Sequence, residues 1–150
     1  MIKGVIINQL TKNSDERGWL VELFRRDGLD FDAVMAYASL TNPGVIRGPH
    51  EHKAQSDCFV FFGPGTFRLY LWDARQNSAT PGENLVLEVG ENNPCLVIVP
   101  PGVIHGYKCI SDYPALSVNL PDKLYKGINK EQAIDEIRWE NKADSPYKIG

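Results

Sequence analysis

The sequence has few of the features that commit a chain to a membrane, a nucleic acid or an oxidising compartment. No apolar run approaches the roughly 18 residues of a membrane-spanning helix. The start, Met1-Ile2-Lys3-Gly4, lacks the apolar centre of a secretory signal, so the expected location is the cytoplasm. Lysine and arginine total 16 against 19 acidic residues. With no basic run and no interleaving of aromatics with cations, the electrostatic footprint of a nucleic-acid binder is missing. An anionic ligand must therefore be met by local basic residues. Cysteine is scarce and odd in number: Cys58, Cys95 and Cys109 have no C-x-x-C spacing and sit in apolar stretches. They read as buried thiols rather than disulfides or a zinc–thiolate site. Linkers, repeats and low-complexity tracts are also lacking, and 150 residues suffice for a core. One domain over residues 1–150 is expected.

What remains is dominated by strand signals. Val5 to Asn8, Leu20 to Phe24, Val34 to Leu40, Cys58 to Phe62, Phe67 to Trp72, Asn84 to Val89, Cys95 to Val99 and Ala115 to Leu120 are short and rich in β-branched or aromatic residues. Gly, Pro, Asn or Asp bound them. In Phe67-Arg68-Leu69-Tyr70-Leu71 a period of two places Phe67, Leu69 and Leu71 on one face. Gly63-Pro64-Gly65 and Asn92-Asn93-Pro94 are turn signals. A single helix is predicted over Lys130 to Arg138, with Asn129 as cap and Gln132 completing a capping box. The fold class expected is all-β, a cupin-type double-stranded β-helix or jelly roll with a short C-terminal helix.

Histidine is as scarce as cysteine, yet it is not scattered. All three histidines lie in Ile46-Arg47-Gly48-Pro49-His50-Glu51-His52-Lys53 and Pro100-Pro101-Gly102-Val103-Ile104-His105-Gly106-Tyr107. His50 and His52 share a strand face, because alternate residues point the same way. A small barrel can bring the two motifs to one interior site. Two readings follow. If a metal is held, His50, His52 and His105 supply imidazoles and Asp57 a carboxylate, a donor set suited to a divalent transition metal. Without one, His50 is free to act as a base, and the two roles exclude each other because a base must keep its lone pair. The metal-free site is the expectation, and a divalent ion the alternative.

Three motifs carry a resemblance. Asp15-Glu16-Arg17-Gly18-Trp19-Leu20-Val21-Glu22-Leu23-Phe24, Gly44-Val45-Ile46-Arg47-Gly48-Pro49-His50 and Val99-Pro100-Pro101-Gly102-Val103-Ile104-His105-Gly106-Tyr107 are similar, in that order, to segments of the dTDP-4-dehydrorhamnose 3,5-epimerase family. These are nucleotide-sugar cupins, and the likeness spans most of the chain. It implies a dTDP-sugar or related nucleotide sugar as ligand and a homodimer in which Arg17, Glu22 and Phe24 help hold the nucleotide diphosphate, partly across the interface. It also implies Arg47 on phosphate, His50 as catalytic base, and His52, Lys53 and His105 lining the substrate site. The chain departs from the family at several points. His52 stands where the family usually has Gln. Asp57 replaces a Lys that supports the oxyanion. Asn119 occupies the position of one of two tyrosines six residues apart, leaving Tyr125 at the other as the candidate acid. The family's C-terminal Asp, which pairs with the histidine, has no counterpart in the sequence.

The chemistry implied is removal of a proton from C3 or C5 of a 4-keto-6-deoxyhexose, where the ketone acidifies the C–H bonds, followed by reprotonation from the opposite face. Lys53, Lys108 or His105 could stabilise the enolate, and Arg47 and Arg17 offer forked donors for a diphosphate. The expected protein is a sugar-nucleotide epimerase acting at one or two centres. Its alternatives are a metal-dependent cupin isomerase or dioxygenase, and a non-catalytic sugar-nucleotide binding module.

Overall fold

A computed structural model describes residues 1–150. Twelve strands follow in order: β1 (Ile6–Gln9), β2 (Lys12–Asp15), β3 (Gly18–Val21), β4 (Tyr37–Thr41), β5 (Ile46–Glu51), β6 (Asp57–Phe61), β7 (Thr66–Asp73), β8 (Asn84–Gly90), β9 (Cys95–Val99), β10 (Val103–Cys109), β11 (Ala115–Asn119) and β12 (Ile137–Arg138). Two five-stranded sheets, β1-β9-β6-β11-β4 and β12-β5-β10-β7-β8, make up the jelly roll, and β2-β3 forms a separate hairpin. Every pairing is antiparallel.

Alternation builds the core. In β7, Phe67, Leu69 and Leu71 are fully buried while Arg68, Tyr70 and Trp72 are half-buried, as the period of two requires. From the other sheet, Phe59, Phe61, Val97 and Val99 meet them, and Tyr107 packs edge-on against Phe59, Phe61 and Phe67. β6 and β9 are buried on both faces. Their outer residues Cys58, Val60, Leu96 and Ile98 are covered by Leu10, Leu23, Phe24, Leu29 and Phe31, so the N-terminal segment is a roof over the first sheet. All three cysteines are free and buried, and burial pushes the Cys58 and Cys95 thiols up to about 12.

The C-terminal helix does not form. Lys126, Asn129 and Lys130 take positive φ, leaving only a 3-10 turn at Ile128–Lys130 without a side-chain cap. Gln132 donates its backbone N–H to the Lys126 carbonyl instead of closing a capping box. The chain then extends, and Ile137 and Arg138 pair with Glu51 and His50 as β12. Strand pairing with β5 thus overrides a weak local helical preference. The strand expected over Leu20 to Phe24 starts at Gly18 and stops at Val21, and that over Val34 to Leu40 begins at Tyr37.

Candidate functional site

β5 and β10 are neighbours in the second sheet, and His105 pairs directly with His50. The register shifts between His105 and Tyr107, and two glycines make this approach possible. A Cβ on Gly106 would lie 2.8 Å from the Arg47 carbonyl oxygen, and one on Gly48 would lie 2.8 Å from that of His105. Gly48 also has φ +84, a conformation glycine adopts without strain. The His50 and His105 rings are consequently 4.5 Å apart. His52, just past β5, lies 5.8 Å from His50 and 5.9 Å from His105. Asp57, first residue of β6, comes from the opposite sheet, and its Oδ2 is 3.1 Å from both His52 Nε2 and His105 Nε2. One ligand atom from each of these four residues lies within 4.8 Å of the others.

Each imidazole has a different setting. His105 Nδ1 donates to the Val103 carbonyl at 3.0 Å, and His52 Nδ1 to the Asp135 carbonyl. His50 has no hydrogen-bond partner; its Nδ1 lies 3.9 Å from Glu136 Oε1. Burial, with His105 and His52 adding to it, lowers the His50 pKa to about 2, so His50 is neutral. Burial opposes charge on His52 as well, but the adjacent Asp57 carboxylate outweighs it and the pKa is raised. The same burial would raise Asp57, yet His105 and His52 hold its carboxyl well below the usual range.

Asn119, buried in β11, connects this centre to the first sheet. Its amide nitrogen donates to Asp57 Oδ1 and to the Tyr37 hydroxyl, both at 2.8 Å, while its oxygen accepts the Cys58 N–H. Tyr37 on β4 is opposite Asn119 in register; the residue is 46% exposed, but desolvation at its hydroxyl end raises the phenol to about 12. No sequence signal pointed to Tyr37, because only the β4–β11 pairing brings it here. Glu136 was also missed, and it corrects one expectation: a carboxylate from the C-terminal segment does stand beside His50. β12 delivers it, and Asp135 anchors that segment by accepting the backbone N–H groups of Lys53, Ala54 and Gln55.

The other expected residues lie around or away from this centre. Arg47 is exposed on β5, its guanidinium held by Thr41 Oγ1 at 2.8 Å and the Leu40 carbonyl. The Lys53 side chain is exposed and forms no ion pair. Tyr125 is exposed and its hydroxyl bonds to nothing in the cluster. Arg17 pairs with Asp15 in the hairpin turn, Glu22 pairs with Arg25, and Phe24 packs on Phe31; none of the three reaches the histidines within one chain.

The sequence profile of the dTDP-4-dehydrorhamnose 3,5-epimerase family matches residues 1–144. The spore coat polysaccharide biosynthesis protein SpsL of Bacillus subtilis is 37% identical over 143 residues, covering 94% of this chain and 92% of its own. A probable low-salt glycan biosynthesis epimerase of Haloferax volcanii is 39% identical over 127 residues, covering 83% and 81%. Among solved structures, a dTDP sugar isomerase from Desulfovibrio desulfuricans superposes with a TM-score of 0.85 over 98% of this chain and 91% of the other. At 24% identity that match speaks for the fold.

Proposed function

The chain belongs to the dTDP-4-dehydrorhamnose 3,5-epimerase family, and from that premise we propose that it epimerises a dTDP-linked 4-keto-6-deoxyhexose beside the C4 ketone, with His50 as base. The observation that carries this reading is the setting of His50: largely enclosed and without a hydrogen-bond partner, its ring keeps a lone pair available, and Glu136 Oε1 lies 3.9 Å from its Nδ1. It removes the C3 or C5 proton, leaving an enolate whose charge sits on the C4 oxygen. Imidazolium is disfavoured in that interior, and the nearby Glu136 carboxylate offsets this by pairing with the charge once it forms. Reprotonation on the other face needs a donor from the opposite wall. Tyr37 fits better than Tyr125: its oxygen accepts from Asn119, which leaves its own proton free to be given. Arg47 lies on the outer part of β5, where it can meet a diphosphate. Arg17 would contribute from a second copy.

The test is proton exchange in deuterium oxide, followed by NMR on a dTDP-4-keto-6-deoxyglucose-type substrate. Deuterium should enter at C3 or C5 with wild-type protein and not with His50→Asn, while Glu136→Gln should slow exchange by roughly 10- to 100-fold. Binding of the nucleotide sugar with no exchange at either carbon would make the chain a binding module instead.

A further inference from the structure

We infer that His52, His105 and Asp57 form a binding site for one divalent transition-metal ion. The argument rests on where their lone pairs point. His105 gives its Nδ1 proton to the Val103 carbonyl and His52 gives its own to the Asp135 carbonyl. In its neutral form each ring is thereby the tautomer whose Nε2 carries a lone pair, and both Nε2 atoms face the same oxygen, Asp57 Oδ2, at 3.1 Å. These are hydrogen-bond lengths without hydrogen-bond angles: Asp57 Oδ2 and His105 Nε2, both buried, have no partner they aim at. With both rings neutral, two nitrogen lone pairs and a carboxylate oxygen face one another in the interior, an arrangement that a proton or a cation between them relieves.

An ion resolves both contacts at once. Bonds of about 2.0–2.2 Å place neighbouring ligand atoms about 2.8–3.1 Å apart in octahedral coordination and about 3.3–3.6 Å apart in tetrahedral coordination, so 3.1 Å fits the octahedral edge. The observed spacing is therefore that of a coordination edge, with the lone pairs converging on a point off the N···O lines. The outer contacts agree. Metal-bound histidines usually donate their second ring N–H to a carbonyl or carboxylate, as these two do, and the other oxygen of Asp57 is held by Gln55 and Asn119 at 2.9 and 2.8 Å. Gln55 Nε2 also lies 3.3 Å from His52 Nε2, a long contact that an ion would displace. His50 lacks a carbonyl partner and stays outside the ligand set. Two imidazoles and one carboxylate leave positions open, suiting zinc, iron or manganese. If the proposed epimerisation holds, such an ion could oppose charge on the C4 oxygen, where the family uses a lysine.

The test uses metal alone, so it is independent of any sugar chemistry. Tag-free protein, stripped with chelator and shown to be folded by circular dichroism, is titrated with Zn2+ by calorimetry and with Co2+ by visible absorption. One ion per chain, d–d bands from nitrogen and oxygen ligation, and a higher Tm with Zn2+ are expected. His52→Ala and Asp57→Asn should each weaken binding at least 100-fold, and His50→Asn should leave it within about threefold. Because Asp57→Asn could disturb folding, the half-buried His52→Ala is the deciding variant. Absence of saturable binding to folded wild-type protein, or binding that survives His52→Ala, overturns the inference. Loss of binding in His50→Asn overturns the three-residue ligand set.

Discussion

The acid role proposed for Tyr37 rests on its bond to Asn119. In the resembling family a tyrosine occupies the place of Asn119; here the phenol comes from the adjacent strand and bonds to that asparagine. Tyr37→Phe is therefore expected to leave deuterium exchange within a few fold while slowing inversion about 100-fold. Tyr125→Phe should alter neither, and both rates are readable by NMR in one time course. His50, His52, Asp57 and His105 were legible as a group because histidine is rare and confined to two motifs. Tyr37, Glu136 and the tautomers were not, since each depends on a partner more than eighty positions away or on a backbone carbonyl. A second buried carboxylate, Asp73, shows what a purely structural one looks like. Every donor around it is satisfied: Arg75 Nε at 2.7 Å, Ser78 Oγ at 2.6 Å and Thr80 Oγ1 at 2.8 Å. The Arg75 hydrogen bond chiefly holds its pKa below the ordinary value. Its stabilisation is thus complete above the unfolded pKa of about 3.9 and is lost as the pH falls through the lower folded value. Asp73→Asn should destabilise by about 2–3 kcal/mol at neutral pH. Urea melts should show that gap narrowing below about pH 4.

Strands made of uninterrupted apolar or alternating residues were legible in the sequence, and the two that carry His50 and His105 were not. β7, β8, β9 and β11 lie within a residue or two of their expected bounds. β5 and β10 went unrecognised because Gly48, Pro49 and Gly106 interrupt the apolar pattern. Those are the residues that let the two strands approach closely enough for His50 and His105 to touch. The irregularity that hides these strands is a requirement of the site, which is where local rules tend to be broken. Gly106 makes this measurable, since its φ is ordinary and only space is at stake. A Cβ there would meet the Arg47 carbonyl oxygen at 2.8 Å and Pro49 Cα at 3.1 Å, whereas one on Gly28 would meet nothing within 4 Å. Gly106→Ala should destabilise by about 2 kcal/mol and Gly28→Ala should be near neutral, a contrast visible in Tm. The failed helix teaches the complementary lesson. Residues 130–138 have the spacing for a helix, but β5 offers an unpaired edge, and β12 takes it.

At the scale of the molecule, the sheets supply different chemistry and the surface around them is unfinished. His50 and His105 belong to one sheet and Asp57, Asn119 and Tyr37 to the other, so the proposed base and the proposed acid come from different sheets. The hairpin β2-β3 stands apart from both sheets. Both its strands keep a free edge, and Trp19 and Leu20 are 50% and 63% exposed. Free strand edges beside exposed apolar side chains invite pairing with another chain. Arg17 sits at the tip of this hairpin, paired only with Asp15 in its own turn, so one chain alone gives it no route to the histidines. A two-fold dimer in which each hairpin lies against the partner would cover the apolar pair and carry Arg17 toward the neighbouring site. Wild-type protein is accordingly expected to sediment as a dimer at micromolar concentration and Leu20→Glu as a folded monomer. The monomer should bind a dTDP-sugar at least tenfold more weakly, although every residue of the interior cluster is intact. A wild-type monomer that binds the nucleotide sugar at full strength would show that Arg17 has no part in the site and that the diphosphate is held by Arg47 and its own chain alone.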